Sequence, residues 1–194
     1  MNEALKDKIL AVALSNVTFD GWNSQLLANA ARNSGVDEDL MPELFPKGIA
    51  SLLAHFSSWA DRKMLEKLPA KKLEKLKIRD RITLGVKTRL EILEPHKDAV
   101  RQALGFYAAP WRKPQLARNI WRTADHIWHA AGDTATNYNH YTKRTLLSGV
   151  LTSTMLCFLG DTSDKHKETW EFLDRRIEQV LKIGQFIGKF KRTG

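Results

Sequence analysis

The chain has 194 residues, 43% hydrophobic and 27% charged, which is typical of one globular domain with at most a small appendage. Its net charge of +9 indicates an acidic partner, either nucleic acid or an anionic membrane surface. Its single cysteine, Cys157, excludes an internal disulfide and fits a reducing compartment. Neither a membrane-spanning run nor a signal or transit peptide is recognisable, so we expect a cytoplasmic protein that is soluble or attached only to a membrane surface.

Apolar residues recur with a period of 3.6 along the chain, and no segment alternates with a period of two. We therefore predict an all-α protein of about nine to ten helices. The first helix should end before the turn at 16–21. The other predicted helices cover about 22–32, 37–45, 47–69, 70–94 (one helix or two), 95–109, 120–131, 146–159 and a last segment from about 163.

The first four predicted helices form a helix-turn-helix arrangement, and Leu44–Gly48 (LFPKG) resembles the junction after the recognition helix of TetR-type repressors. A recognition helix approaches phosphates closely and needs basic side chains. Pro42 is expected to disrupt this short helix. We therefore predict a retained scaffold without DNA binding, since the segment offers no base and four carboxylates: Asp37, Glu38, Asp39 and Glu43.

An amphipathic helix, a polar turn and a nearly all-apolar run follow one another from Ile120 to Leu159. In the first of these, the polar side chains Arg122, Asp125 and His129 lie opposite the apolar face. The run 146–159 is too short to span a bilayer and predicts a helix buried inside a bundle, where small residues can leave space for a ligand. From periodicity alone, the residues predicted to line this space are Ile120, Ala124, Trp128, Leu147, Leu151, Met155 and Phe158.

The last residues are basic, and no acidic residue follows Glu178. Their apolar side chains recur at positions i, i+3, i+4 and i+7, which places them on one helical face. Such a segment is suited to a lipid headgroup region, although a solvated tail that packs on a dimer partner is the alternative. The predicted membrane-contacting residues are Lys182, Ile183, Phe186, Ile187, Lys189 and Phe190.

No nucleophile elbow, phosphate-binding glycine loop or dinucleotide fingerprint is present in the sequence. His126 and His129, with Asp125 or His140, are candidate metal ligands, but the paired Glu-x-x-His motifs of helical metal sites do not occur. Cys157 is most simply a small core residue. We therefore predict no enzyme, no cofactor and no metal site; a cofactor-free enzyme using His126 or His129 as a base is the alternative.

A polar cluster lies between the amphipathic helix and the apolar run. It can be a capped helix start with a solvated face. Tyr and Arg on an exposed helix start are also residue types that dominate protein interfaces. The predicted partner-binding residues are His140, Tyr141 and Arg144.

The longer motifs of this region resemble the ubiquinone-biosynthesis accessory proteins of the Coq-nine family. The resemblance is carried by the segments 120–133, 139–144, 149–154 and 169–177, and weaker similarity at 21–22, 44–46 and 60–62 extends it over nearly the whole chain. It implies a TetR-like fold without repressor activity and dimers formed through the last two helices. It also implies an isoprenoid or quinone lipid in the interior, a membrane-touching C-terminal helix and delivery of the intermediate to the demethoxyubiquinone hydroxylase.

The sequence departs from this family pattern on the polar cluster. The family's Trp beside the Tyr–Thr motif is His140 here, and its Ser–Thr–Asp is Ala135–Thr136–Asn137. If this surface docks the hydroxylase, an apolar anchor has been exchanged for a polar ring.

Together these observations predict three parts: a helix-turn-helix-like portion (1–66), a ligand-binding and dimerisation bundle (67–181) and a basic amphipathic segment (182–194). We expect a non-enzymatic lipid-binding homodimer, peripherally associated with the inner membrane. It would present quinone intermediates to the hydroxylase, with nucleic acid an unlikely partner. A TetR-type ligand-responsive transcription regulator is the alternative function.

Overall fold

A computed structural model describes residues 2–68, 73–133 and 138–190; the side chains of 138, 139 and 183–190 lie outside the description. Over these ranges the chain is helical and has no strand, which confirms the predicted all-α class. Within the same ranges, no helix combines the length and apolar character needed to cross a bilayer. The helices are α1 Asn2–Asp20, α2 Ser24–Asn33, α3 Met41–Leu44, α4 Ile49–Lys67, α5 Ile78–Leu93, α6 Lys97–Tyr107, α7 Lys113–Ala130, α8 Tyr138–Gly160 and α9 Lys167–Phe190.

The chain forms two compact units that are each discontinuous in sequence. The first contains the residues up to Arg62 together with 93–119, and the second contains 63–92 and the residues from Ile120 onward. The predicted division of the chain at residues 66 and 67 and at 181 and 182 stays a prediction.

The first unit is built on α1, whose apolar face is completely buried. Helix α1 continues to Asp20, so the predicted end before 16–21 is wrong. The reason is that Val17 extends the buried face from Ile9 and Ala13 by another turn. Gly21, at a φ of +71°, then ends the helix in a conformation that other residues rarely adopt.

The start of α3 corrects the expectation that Pro42 disrupts this helix. Pro42 lies in the first turn of α3. At that position its missing N–H would have had no partner within the helix, and its fixed φ suits the helix start. A short 3-10 turn, Glu38–Leu40, precedes α3 and is capped by Asp37, whose carboxylate accepts from the Asp39 N–H at 3.0 Å.

The core of the second unit is built from α5, α7, α8 and α9 with the end of α4. Leu147, Val150 and Phe158 of α8 and Leu173 and Ile177 of α9 are buried, as their helical spacing predicts. The apolar run predicts a helix that is buried on all sides, but α8 is buried on only one side. Its opposite face, which includes Thr152 and Leu156, is exposed in the single chain.

The junction between α8 and α9 is fixed by one buried carboxylate, that of Asp161. It accepts hydrogen bonds from the backbone N–H and hydroxyl of Ser163 (2.8 and 2.6 Å) and from those of Thr169 (2.8 and 2.5 Å). Burial alone would raise the pKa of Asp161, but these four bonds outweigh it and hold the pKa far below the usual range. The charged carboxylate therefore acts as the N-terminal cap of the last helix.

Candidate functional site

A fully buried arginine joins the end of α7 to the start of α8 in the second unit. Arg144 has no exposed side-chain surface, and its Nε donates to Oδ1 of Asp125 at 2.6 Å. Its Nη1 donates to Oδ2 of Asp133 at 2.9 Å and to the carbonyl of His140 at 3.3 Å. The planar guanidinium can bind two carboxylates at once, which a lysine cannot do. We call Asp125, Asp133, Lys143 and Arg144 the arginine cluster.

Lys143 completes the charge balance of the arginine cluster. Its Nζ donates to Oδ1 of Asp133 at 2.6 Å and lies 5.2 Å from the centre of the Trp128 ring. The Trp128 indole N–H donates in turn to the Lys143 carbonyl at 3.1 Å. Burial acts to raise the pKa of Asp133, but the hydrogen bonds from Lys143 and Arg144 prevail and lower it. Two cations and two carboxylates thus fix the N-terminal part of α8 against α7 and the turn that follows α7.

The predicted partner-binding residues lie next to one another but differ in exposure. Tyr141 is 62% exposed, and its ring lies 5.3 Å from that of His140 and 6.3 Å from that of Trp121. Arg144 is buried, so the expectation of an exposed arginine is wrong. The carboxylates of Asp125 and Asp133 attract it inward, and only the structure brings together a donor and acceptors 19 and 11 residues apart. A docking role for His140 and Tyr141 stays a prediction.

The predicted lipid-binding residues all belong to the second unit, and most are inside it. Ala124, Trp128, Leu147, Leu151 and Phe158 are buried, whereas Ile120 and Met155 are partly exposed. Burial is common to a packed core and to a ligand site, so the lipid role stays a prediction. Where α5 meets α7 the packing is close: a Cβ added at Gly85 would lie 3.0 Å from Cγ2 of Ile127.

Two polar side-chain atoms on the buried face of α8 lack a hydrogen-bond partner among the described residues: Nη2 of Arg144 and the hydroxyl of Thr154. Thr154 has no exposed surface, and its hydroxyl forms no hydrogen bond within the described residues. The side chain is three residues from Leu151 and four from Phe158, so it shares the helical face of these two predicted lining residues. A buried hydroxyl without a partner is unfavourable, and a ligand oxygen would satisfy it.

For most of the predicted membrane-contacting segment, the side chains lie outside the part of the chain that the structure describes. The backbone of α9 is helical to Phe190, whereas Ile183, Phe186, Ile187, Lys189 and Phe190 have no described side-chain contacts. Lys182 is exposed, and its hydrogen bond to Glu178, at 3.0 Å, lowers the pKa of that carboxyl. The membrane role of this segment stays a prediction.

The first unit contains a second cluster of titratable side chains, formed by Glu3, Asp7, His55 and Arg62. The ligand atoms of Glu3, Asp7 and His55 lie within 4.8 Å of one another. The Arg62 guanidinium already donates to Glu3 at 2.7 Å and to Asp7 at 2.6 Å. These contacts place a positive charge where a metal ion would have to bind, and the cluster stabilises the packing of α1 against α4.

The region corresponding to a DNA-reading helix is acidic, as the sequence predicts. Asp37, Glu38, Asp39 and Glu43 are all exposed. Arg32, on the preceding helix, forms an ion pair with Glu38 at 3.6 Å, so the positive charge of Arg32 is already paired. A phosphate backbone would be repelled here.

The chain matches known proteins over nearly all of its length. A family model described as COQ9 matches residues 113–184. The chain is 30% identical over 191 residues to the ubiquinone biosynthesis protein COQ9, mitochondrial, of Drosophila melanogaster, covering 96% of this chain and 58% of that protein. It is 28% identical to the human protein of the same name (99% and 62%) and 30% identical to COQ9-B of Xenopus laevis (99% and 68%). The chain spans about three fifths of the length of the first two relatives.

A solved structure defines the fold class. The crystal structure of the TetR transcriptional regulator from Nitrosomonas europaea matches with a TM-score of 0.74 at 18% identity, covering 92% of this chain and 98% of that one. The protein is thus a TetR-like helical protein with carboxylates where a DNA-reading helix would carry bases. Its near-complete similarity to the curated proteins then defines the family: the chain belongs to the COQ9 family.

Proposed function

We propose that this protein is a non-enzymatic accessory protein of ubiquinone biosynthesis that binds an isoprenoid quinone intermediate and presents it to the demethoxyubiquinone hydroxylase. The observation that carries the proposal is the similarity, over 96–99% of the chain, to proteins named for ubiquinone biosynthesis. The geometry supports a binding role, because the features described above are ion pairs and apolar packing.

The physical need for such a protein lies in the isoprenoid tail. Exposing apolar surface to water is unfavourable by about 25 cal/mol per Å². A helical interior lined by Ala124, Trp128, Leu147, Leu151 and Phe158, with Ile120 and Met155 at its edge, would shield the tail. The unpartnered hydroxyl of Thr154 would donate to a carbonyl oxygen of the quinone ring, which gives one polar contact in an otherwise apolar site.

Membrane contact is assigned to the end of α9. The segment from Lys182 to Phe190 would insert its phenylalanines among the lipid headgroups and place its lysines on phosphates. The protein would then associate peripherally with the inner membrane, where its lipid substrate resides. Tyr141 and His140 would dock the hydroxylase from the exposed start of α8.

We propose a homodimer formed by the exposed face of α8. Leu156 is 58% exposed, and Gly149 and Thr152 lie on the same side of the helix. An exposed apolar residue flanked by small ones is suited to close packing of two helices. Sedimentation equilibrium should show a dimer that Leu156→Glu dissociates; a wild-type monomer would contradict the assignment.

Lipid binding is tested by extracting the purified full-length protein and analysing the extract by mass spectrometry. We expect a prenylated quinone or quinone precursor in near-equal amount to the protein. Thr154→Val should reduce its retention, whereas Thr152→Val, whose hydroxyl already donates to the Ser148 carbonyl at 2.8 Å, should not. If Thr154 is merely an unsatisfied core residue, Thr154→Val will stabilise the fold and leave the bound lipid unchanged.

Two further measurements test the remaining parts of the proposal. Liposome flotation should show binding that decreases when residues 182–194 are deleted. A gel-shift assay at low salt should show no sequence-dependent DNA binding, because of the exposed carboxylates of 37–43. A wild-type protein that carries no lipid and does not float would exclude the lipid-carrier function, and tight sequence-dependent DNA binding would favour a regulator.

A further inference from the structure

The turn before α7 exposes a tryptophan that the fold does not use. Trp111 is 77% exposed in a 3-10 turn, Pro110–Arg112, of the first unit. An indole offers a large apolar area and gains much from burial. Trp111 is therefore available for contact with a partner outside the chain.

The turn is held rigidly, so the indole is presented and does not fold back onto the core. Nη1 of Arg112 donates to the Phe106 carbonyl at 3.1 Å, and its guanidinium lies 3.8 Å above the Phe106 ring. Further along the chain, the Gln115 side chain donates to the Ala50 carbonyl at 2.6 Å and ties the start of α7 to α4. The chain that follows Trp111 is thus anchored at Arg112 and at Gln115.

The charged residues that lie near Trp111 in the sequence are all basic. Residues 99–119 contain four basic residues and no acidic one. Of these, Arg101 pairs with Asp98 at 2.5 Å, and Arg112 holds the turn. Lys113 and Arg118 are exposed, and neither forms an ion pair with a residue that the structure describes. An exposed indole flanked by uncommitted cations is complementary to an anionic lipid surface, where Trp occupies the headgroup level and each base adds attraction.

We propose that Trp111, with Lys113 and Arg118, is a second membrane contact of this protein, carried by the first unit and selective for anionic bilayers. The proposal rests on the membrane association proposed above, but it uses residues separate from the C-terminal segment. A protein partner would also fit an exposed indole; charge complementarity along 99–119 favours the anionic lipid surface. Among residues 99–119, all of which the structure describes, only the aromatic ring of Trp111 is exposed, so the bases are not accompanied by the row of stacking rings that a single-stranded nucleic-acid site needs.

The test is flotation of the full-length protein with vesicles of phosphatidylcholine alone and with about one third phosphatidylglycerol. Trp111→Ala should lower the partition coefficient on the anionic vesicles at least about tenfold, given the large apolar area of an indole. Phe19→Ala is the matched control, because Phe19 is 90% exposed in the same unit but is followed by an acidic residue, Asp20. It should leave partitioning unchanged.

The charge requirement is tested by Lys113→Ala combined with Arg118→Ala. Each lost base should lower binding to anionic vesicles about fivefold, with little change on neutral vesicles. The control removes two exposed lysines elsewhere in the unit, Lys8→Ala with Lys47→Ala, and should have a smaller effect. Quenching of tryptophan fluorescence by brominated lipid should also decrease in Trp111→Phe, which retains an aromatic ring.

The outcomes separate this inference from the general membrane proposal. If the full-length protein floats but Trp111→Ala and Phe19→Ala behave alike, the second contact is refuted while the C-terminal contact stands. Equal binding to neutral and anionic vesicles refutes the charge selectivity. If the wild-type protein does not float at all, both proposals are overturned. Because Trp111 is exposed, its substitution should leave the unfolding temperature unchanged, which excludes misfolding as the cause of a loss.

Discussion

Replacing Arg144 with methionine tests whether the arginine cluster holds α7 and α8 together. Methionine has a similar length and no charge, so Arg144→Met leaves Asp125 and Asp133 without their shared donor. Removing one member of a buried ion pair typically destabilises a protein by about 3–5 kcal/mol. Here we expect the lower end, about 3 kcal/mol, because Asp133 keeps Lys143 at 2.6 Å and the Asp125 side chain is 31% exposed.

Urea unfolding followed by circular dichroism measures this effect. With a slope of about 2–3 kcal/mol per molar urea, a loss of about 3 kcal/mol moves the midpoint by about 1 M. Arg144→Lys should lose about half as much, since one ammonium cannot donate to both carboxylates as the guanidinium does. Combining Arg144→Met with Asp133→Asn should reveal a coupling energy of about 1–3 kcal/mol.

The pH dependence gives a second, independent check on the cluster. The pKa of Asp133 is lowered in the folded protein, so its carboxylate contributes stability above the unfolded-state pKa of about 3.9. This contribution is lost as the pH falls through the lower folded-state pKa. Arg144→Met should therefore flatten the acid limb of the stability profile. A variant within about 0.5 kcal/mol of wild type, with an unchanged acid limb, would refute the described ion pairs.

Further substitutions test other parts of the structure. Gly85→Ala should destabilise the protein by about 1–2 kcal/mol, because the added methyl group meets the buried Ile127 at 3.0 Å. Gly105→Ala has open space around the added methyl group and should stabilise the protein by about 0.5–1 kcal/mol. Thermal unfolding of the two variants measures both effects. Asp161→Asn should lose about 2 kcal/mol, while Asp164→Asn, at an exposed acid nearby, should change stability by less than about 0.5 kcal/mol in urea. Burial lowers the pKa of His55, although a hydrogen bond to the Asp7 carboxylate acts to raise it. The contribution of the neutral His55 ring to stability is therefore complete above about pH 6.5 and is lost as the pH falls through the folded-state pKa. His55→Gln should remove that dependence from unfolding curves measured between about pH 7 and 5, and an unchanged profile would contradict it.

The helical period of the sequence is sufficient to predict the fold class and much of the core. Spacing alone predicts inward-facing positions for Ala124 and Trp128 on α7 and for Leu147, Leu151 and Phe158 on α8, and all five are buried. Apolar burial depends on the spacing of residues within one helix, which is a local property of the sequence. The ends of helices are less certain, as α1 shows, because the burial of one further residue can extend a helix through polar neighbours.

The arginine cluster could not be predicted in this way, because its stability depends on partners in different helices. Arginine is a residue type that usually lies at the surface, and it is almost never fully buried unless it is paired. Asp125 lies on the polar side of α7, and Asp133 follows the helix-ending Gly132. A signal was available in the sequence: two carboxylates and two adjacent cations bracket one short turn. Only the three-dimensional arrangement shows that they neutralise each other inside the protein.

The chain combines a TetR-like fold with an acidic short helix. The chain superposes on a transcriptional regulator over 92% of its length, yet only 18% of the aligned residues are identical. The shared part is the apolar periodicity that packs helices, and it carries no information about DNA. Recognition of DNA needs basic side chains against phosphates, and here Glu38, Asp39 and Glu43 occupy that surface instead. Lys113, Arg118 and the end of α9 carry basic side chains, and this charge distribution, more than the fold, is the basis on which we propose a lipid surface as the anionic partner.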